Sequence, residues 1–537
     1  MRAGVFASDG RVLAAESTDI DVFHPQEDCV EQSSRQIWEA TAQSVRAAVR
    51  AAAVKPSRVA GIGFDATCSL VALDRNNRPI SISPTGDPSH NIIVWMDHRA
   101  QDQADRINAT GNATGRDILR YVGGKLSPEQ EPPKLKWIKE NLPETWANAG
   151  KFLDLADYLV FQACGDDVRS LCTVVCKWTY LGHQGKRGAW DLPFFKQIGL
   201  EDLFEGGRAG TRVAPVGSRA GSLTQAAAAE LGLKAGIAVA TGIIDAHAGG
   251  IGVLGMHRAN EPDAGLDRLD DRLALIAGTS SCHMAVSPEA RFIDGVWGPY
   301  YGAMVPGMWL NEGGQSATGA LIDHVIENHA AYRTVADSAT ASRQTVYEVL
   351  NSDLATMSVA EQEKALKDLH VLPYFHGNRS PRADSHARGM ISGLTLDSSP
   401  RNLALLYLAT AEAIAHGTRH IIDEMNDAGY AIRRLHACGG GSKNPLLMQE
   451  HADVTGCDVY LSPNTEPVLL GSAMLAAVAA DIYPSVLTAT DSMSPEAEVV
   501  KPNRSRKPFL EAEHRVFLRM YEHQLEYRRM MESDAGV

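Results

Sequence analysis

The sequence predicts an α/β fold divided between two large domains, and three observations carry that reading. Short apolar strands such as "VAGIGF" alternate with segments of helical spacing. A chain of 537 residues exceeds what one ordinary hydrophobic core organises. A polar stretch, "HRANEPDAGLDRLDDR" from His257 to Arg272, interrupts the pattern, which restarts at "LALIAGTSS".

Taken in order, "AGVF", a turn at Ser8-Asp9-Gly10 and "RVLAAEST" predict a β-hairpin. The segment "SRQIWEATAQSVRAAVRAA" has helical spacing at Ile37, Ala40, Ser44 and Val45. "VAGIGF" reads as one short buried strand ending at Asp65. Residues from Glu327 to Leu369 read as helical elaboration without recognisable chemistry. Ser399-Pro400 opens a helix with apolar positions Leu403, Leu406, Tyr407, Ile414, Ile421, Ile422 and Met425, ending near Gly429. The tail "HRVFLRMYEHQLEYRRMM" is amphipathic and is expected to dock on a core. The domains expected are 1–256 and 273–500, followed by a helical tail over 501–537.

Composition is that of an ordinary soluble protein, 44% hydrophobic and 22% charged. A net charge of −14 opposes nucleic acid or an anionic membrane as the main partner, while a small anion can still bind in a local glycine-lined pocket. Eight cysteines lack any C-x-x-C pair. Cys172 and Cys176 share a helical face, but no second cysteine or histidine pair at zinc-like spacing completes a site. All eight are expected to be reduced, mostly buried thiols of a cytoplasmic protein. The amino end lacks the apolar core of a signal peptide. The apolar run Val468 to Ala480 falls short of the ~20 residues that span a bilayer.

In "VATGIIDAHAGGIG", six of the eight residues from Val239 to Ala246 are apolar or glycine, yet Asp245 stands among them with no cation beside it. A lone carboxylate at the end of a buried strand asks for a partner. "LHACGGGSKNPLLMQEHADVTGCDVYLS" runs a strand into Gly439-Gly440-Gly441; Asn444 then caps a helix with Pro445 at its first position, and Gly456 closes it. The triplet suits either a tight turn or a close backbone approach to an anionic ligand. It is not a P-loop, since no Lys-Ser/Thr follows at the required spacing. "LIAGTSSCHMAV" makes a second turn at Gly278, Thr279, Ser280 and Ser281, fit for a plain hairpin or for phosphate oxygens. Together these features favour a ligand cleft between the domains.

Polar groups fit for a sugar lie elsewhere. "NIIVWMDHRAQ" sets Trp95, Asp97, His98 and Arg99 at a strand end, where they serve either a polyol or an exposed salt bridge at a helix start. Lys177 in "SLCTVVCKWTYLG" has snorkelling as its default role. Glu312 stands before a Gly-Gly turn in "WLNEGGQSATGALIDHV", where helix capping is the plain alternative.

The ordered set "GFDATCSLVA", "VWMDHR", "CKWTYL", "TGIIDAHAGG", "AGTSS", "NEGGQSATG" and "CGGGSKNPLLMQEHADVTG" resembles the FGGY family of carbohydrate kinases, from Arg2 to about Tyr483. Within it, the pentulose kinases that act on ribulose are most similar. "TCSLVA", Thr67 to Ala72, is close to a Thr-Cys-Ser-Leu-Val-Val stretch of D-ribulose kinases. The resemblance implies two actin-like ATPase domains of ribonuclease-H-like fold around a cleft, with ATP and Mg²⁺ as cofactors, a sugar as partner substrate, and a homodimer among the allowed assemblies. Asp245 matches the catalytic base, with Mg²⁺ held near it through water. Thr67, Cys68, Trp95, Asp97, His98, Arg99, Lys177 and Glu312 match sugar-binding positions. Gly278, Thr279, Ser280, Gly319, Gly439, Gly440, Gly441 and Asn444 match nucleotide positions.

One departure stands out. The family opens with a strand carrying an Asp-x-Gly-Thr turn that contacts phosphates, and "MRAGVFASDG" corresponds only to the end of that motif. The expectation is a misplaced start, weak or absent activity for the chain as it stands, and unpaired backbone groups beside the missing strand. The activity expected is phosphorylation of D-ribulose to D-ribulose 5-phosphate. L-ribulose, xylulose or a polyol are rival substrates, and a sugar- or nucleotide-binding protein without catalysis is a rival of another class.

Overall fold

The computed structural model describes residues 1–113, 117–185, 188–258, 266 and 268–534, so most of the polar break between His257 and Arg272 lies outside the described residues. The second half is built on a seven-stranded sheet in the order Trp297–Tyr301, Trp309–Gln315, Ser281–Ser287, Arg272–Ala277, Arg434–Cys438, Asp458–Leu461 and Glu498–Val500. The first four strands are antiparallel neighbours. Arg434–Cys438 and Asp458–Leu461 continue the sheet in parallel, as a ribonuclease-H-like domain requires. Arg272–Ala277 and Arg434–Cys438 thus end side by side, and both turns that follow them open at the carboxyl edge of the sheet, where α/β folds bind ligands.

Helix Pro400–Asp427 covers this sheet, with Ser399 Oγ accepting from the Asn402 N–H at 3.2 Å. All seven apolar positions that the spacing assigned to its core face are buried. The elaboration after Glu327 is helical, as Tyr332–Ser342, Val346–Leu354 and Val359–Leu366. The tail helix Lys507–Asp534 docks as its amphipathic pattern requires, packing Phe517, Met520 and Tyr521 on Leu372, Tyr374 and Ala387. Just before it, the buried Arg506 guanidinium donates to Glu450 at 2.7 Å, to Asp453 at 3.2 Å and to Glu412.

In the first half, the hairpin Arg2–Phe6/Val12–Ser17 forms as read, with Gly10 at positive φ in its turn. It pairs with no further strand among the described residues. A cavity of about 1470 Å³ is lined by this hairpin, by residues 58–67, by Asp245, and by Gly439 and Gly440. The segment "VAGIGF" is not one strand. Gly61–Ile62 pairs with Ala238–Ala240, and Asp65–Ala66 pairs with Ile243–Ile244, leaving a break at Gly63 and Phe64. Helix Pro467–Ala479 presses on this segment so closely that a Cβ on Gly63 would lie 2.3 Å from the Ser472 carbonyl oxygen.

The same helix crosses helix Asp245–Leu254 backbone to backbone. A Cβ on Gly252 would stand 2.0 Å from Pro467 O, and one on Gly471 would stand 1.9 Å from Ala248 O. The run of small residues after Asp245 is therefore the footprint of a helix from the other half of the chain. Gly471→Ala forces the two helices apart and is expected to destabilise the protein by about 1–3 kcal/mol, the usual cost of overpacking. Urea unfolding beside wild type checks it, and an unchanged midpoint would show that the crossing relaxes freely.

Candidate active site

Asp245 is the first residue of its helix, reached directly from strand Ile243–Ile244. Its Oδ1 accepts from the Ala246 N–H at 2.7 Å, and the helix N-terminus favours a negative charge there. Among the described residues no lysine, arginine or histidine stands within ion-pair distance of it. Burial raises its pKa above the ordinary aspartate range, opposed by the Ala246 N–H and by the charges of His247 and Lys177, and abetted by Glu312. Asp65 lies on the neighbouring strand and lines the same cavity. Its Oδ2 accepts from Ser472 Oγ at 2.6 Å, and burial lifts its pKa to about 7, with the Asp245 charge adding to the rise. Sequence reading passed over Asp65 because it was taken only as a strand end.

Beside this carboxylate pair stands a buried set of opposite charges. Lys177 ends helix Leu171–Lys177, and its Nζ lies 4.8 Å from the centre of the Trp297 ring. It does not snorkel to solvent. Burial disfavours its charge, yet Cys68, Glu312 and Glu129 hold its pKa well above the usual lysine range. Glu312 is not a cap, and no turn follows it: Glu312, Gly313 and Gly314 all lie within strand Trp309–Gln315. Both glycines are there for close packing, since a Cβ would meet Ile421 at 2.7 Å and Arg379 at 2.8 Å. Burial would push the Glu312 carboxyl up. The hydrogen bond and charge of His247, with the charges of Lys177 and Arg379, prevail and hold it at about 2.

Three residues that sequence reading missed complete this set. His247 Nε2 lies 3.5 Å from Glu312 Oε2. Arg379 has its guanidinium 5.4 Å from the Trp297 ring and Nη2 3.6 Å from Glu129 Oε1. Trp297 thus carries a cation near its ring on each count, Lys177 and Arg379. His247 was visible as the histidine two places after Asp245, and Arg379 as the cation in "HGNRSPR" after an apolar run. His247 also stands beside Cys172 and Cys176, so the cysteine pair that lacked a partner in its own segment gains one from a distant helix. All eight cysteines are free thiols, and all but Cys282 are buried.

Cys68 is buried near Lys177, and burial pushes its thiol up to about 12. Thr67 lines the cavity, with Oγ1 3.1 Å from Ser69 Oγ. The Trp95–Arg99 segment departs from both of its expected roles. Asp97 and Arg99 make a buried clamp rather than an exposed salt bridge: Arg99 donates to Asp97 at 2.7–2.9 Å, to Glu31 at 2.8 Å and to the Ile82 carbonyl at 3.0 Å. Asp97 Oδ2 also accepts from the Val30 N–H at 2.6 Å. With these partners the two groups fasten the loop. Trp95 stays half-buried, held by its N–H to Ser69 Oγ at 3.3 Å, and His98 is exposed.

The expected turns come together, with Gly439 and Gly440 lining the cavity and the Gly278–Ser280 turn packed beside them. Gly278, Thr279 and Ser280 join strands Arg272–Ala277 and Ser281–Ser287, and Thr279 is exposed. The Gly319 N–H donates to Gly278 O at 3.1 Å, locking this turn onto the start of helix Gly319–Glu327. The three glycines of the triplet differ in role. Gly439 is at φ +93°, and a Cβ there would sit 2.2 Å from Ala277 O; Gly441 is pressed on Ala277 as well. Gly440 alone faces open space, with nothing within 4 Å of its would-be Cβ. Asn444 caps helix Pro445–Thr455, its Oδ1 accepting from the Leu446 N–H at 3.2 Å while Nδ2 donates to Tyr407 Oη at 2.7 Å. Its side chain thereby shapes the turn that follows the glycine triplet.

Comparison with known proteins agrees with this geometry. Residues 1–252 match the N-terminal domain and residues 273–480 the C-terminal domain of the FGGY family of carbohydrate kinases. A Xenopus laevis FGGY carbohydrate kinase domain-containing protein is 48% identical over 540 residues, covering 99% of this chain and 96% of that protein. A D-ribulokinase of Saccharomyces cerevisiae is 38% identical over 90% of this chain and 70% of its own length. Among solved structures, a xylulose kinase from Brucella ovis superposes with a TM-score of 0.79 at 20% identity, covering 98% of this chain and 97% of that one, which establishes the two-domain actin-like fold. With both family domains matched and the cleft between them assembled, the chain belongs to the FGGY family of carbohydrate kinases.

Proposed function

We propose that this chain transfers the γ-phosphoryl group of ATP to the terminal hydroxyl of a ketopentose, converting D-ribulose to D-ribulose 5-phosphate and ADP. One observation supports the reading above others: a carboxylate without an internal cation, Asp245, lines a cavity that reaches the open Gly440 and stands beside the buried Lys177–Glu312 pair. The D-ribulokinase relative at 38% identity and a ribulokinase of Geobacillus thermodenitrificans at 33% identity support ribulose as the sugar.

In this reading the sugar lies between Lys177, Glu312 and Trp297, with Thr67, Cys68, Trp95 and His98 around it. The Lys177 ammonium donates to hydroxyl or carbonyl oxygens, and the Glu312 carboxylate, ionised at neutral pH, accepts from hydroxyls. Asp245 takes the proton of the terminal hydroxyl as its oxygen bonds the γ-phosphorus and the bond to the β–γ bridging oxygen breaks, releasing ADP. A positioned base contributes ~10²–10⁴-fold, and alignment of the two substrates supplies much of the rest. The Gly278–Ser280 turn, Gly319 and the Gly439–Gly441 turn carry the nucleotide, with Gly440 the point of closest backbone approach. Asp65 and Asp245 fit a hard divalent cation, being two carboxylates on neighbouring strand ends that line one cavity without a basic partner at ion-pair distance among the described residues; Asp245 would hold it through water. When bound, Mg²⁺ neutralises phosphate charge.

An ADP-release screen across ketopentoses and pentitols tests the assignment: D-ribulose is expected to give the highest kcat/KM, and preference for xylulose or a pentitol would replace the substrate. Absence of ADP with every sugar, with sugar or nucleotide binding retained by calorimetry, would replace the reaction with the binding protein without catalysis. Asp245→Asn is expected to lower kcat by about 10²–10⁴-fold while nucleotide affinity holds. Because the Asp245 pKa is raised, the wild-type rate should fall as pH drops from neutral toward a limb above the ordinary carboxylate range, and that limb should vanish in the Asn variant. Glu312→Gln removes a charged hydrogen bond worth ~1.5–3 kcal/mol and should raise the ketose KM by about 10- to 100-fold.

The same shift has a consequence for stability. A carboxyl with a raised native pKa binds its proton more tightly folded than unfolded, so its effect on stability worsens as pH rises from the unfolded value, ~3.9, through the native one. Asp245→Asn should therefore unfold at a higher temperature than wild type at pH 8, with the gap closing toward pH 4. An equally stable or weaker variant at pH 8 would show that the Asp245 charge is compensated in the protein.

A further inference from the structure

We propose that Cys172, Cys176 and His247 form a binding site for a soft divalent cation, Zn²⁺ or Co²⁺, directly behind the sugar pocket. The two cysteines stand four apart on helix Leu171–Lys177, so their thiols share one face. Helix Asp245–Leu254 brings His247 against that face. The two Sγ atoms and a ring nitrogen of His247 all lie within 4.8 Å of one another, and the three residues are almost wholly shielded from solvent.

The spacing is that of a metal centre. A tetrahedral zinc with Zn–S near 2.3 Å and Zn–N near 2.0–2.1 Å holds sulfur and nitrogen about 3.5 Å apart and the two sulfurs about 3.8 Å apart. Cys176 Sγ lies 3.9 Å from His247 Nε2, a few tenths of an ångström beyond that separation, and all three ligand atoms lie within 4.8 Å of one another, so closure onto a cation needs about 1 Å at most. The chemistry agrees: two thiolates and an imidazole select zinc-like ions over magnesium. The fourth position falls on the side of Glu312, whose Oε2 is 3.5 Å from the same Nε2, and is filled by that carboxylate or by a water. His247 Nε2 faces both Glu312 Oε2 and Cys176 Sγ, so a cation there would take the place of the proton that Nε2 shares with Glu312.

The site is separate from the oxygen-donor position at Asp65 and Asp245, and it does not depend on the sugar-kinase reading. The full chain, stripped with chelator under reducing conditions, is titrated with Co²⁺. One equivalent should produce thiolate-to-cobalt charge-transfer absorption and the intense visible bands of a tetrahedral centre, both abolished by Zn²⁺. Cys172→Ser and Cys176→Ser should each diminish the charge-transfer band and weaken cobalt binding by more than the ~10-fold that losing an outer-shell partner costs. X-ray absorption of the zinc-loaded wild type needs no variant and should show two sulfurs near 2.3 Å and two lighter ligands near 2.0–2.1 Å. No charge-transfer band at stoichiometric Co²⁺, sulfur absent from the zinc shell, or a spectrum intact in both serine variants overturns the site.

Discussion

The close crossing of helices Asp245–Leu254 and Pro467–Ala479 is the constraint on which the site depends. Their backbones meet at Gly252 and Gly471 with no room for a single methyl group. A helix from the first half, which begins with Asp245, is thereby keyed to a helix from the second half. Three further consequences follow from that fit. Asp245 is fixed at the border between the two halves, His247 is turned toward strand Trp309–Gln315, and Ser472 of the partner helix reaches Asp65. Any side chain at Gly252 or Gly471 would hold the helices apart and carry all three out of register.

Charge is distributed unevenly around that crossing. Glu312 has His247, Lys177 and Arg379 about it and stays ionised. Among the described residues Asp245 and Asp65 have no basic partner at ion-pair distance; burial raises both pKa values, and the Asp245 charge adds to the rise at Asp65. A buried carboxylate left in this state costs stability unless it is neutralised. Proteins keep such groups where a ligand supplies the missing partner, and the two deficits lie on the cavity wall while the satisfied pair lies deeper. The polarity of the cleft, compensated at Glu312 and uncompensated at Asp245 and Asp65, is what the proposed reaction would draw on: a satisfied pair for hydroxyls and open carboxylates for a proton and a cation.

Much of this could be read from the sequence, and what could not has a common physical cause. Asp245 announced itself as a carboxylate in an apolar strand; helix Pro400–Asp427 and the Asn444 cap followed from local rules that act within a few residues. Arg379, Trp297, His247 and Asp65 did not, since each acquires its role only through neighbours far along the chain. Gly313 and Gly314 were read as a turn because glycine marks turns, whereas here they make room for Ile421 and Arg379. Asp97 and Arg99 were candidates for the sugar or for an exposed bridge. Glu31, brought in from another strand, ties them into a buried network instead.

The glycine turns show why composition alone could not assign ligand contacts. Gly439 and Gly441 are required by Ala277, because two parallel strands end at one level and their turns must pass within contact distance. Gly440 has no such neighbour, so steric need inside the protein does not explain it. An alanine there would project into the cavity and meet only what enters from outside. That separates the two glycines the protein itself requires from the one that faces the cavity, whose lining it shares with Asp245. In-line transfer sets the acceptor oxygen between its base and the phosphorus. The proposed reaction therefore needs a carboxylate and an open backbone turn on one cavity, and Asp245 and Gly440 meet that need from opposite halves of the chain.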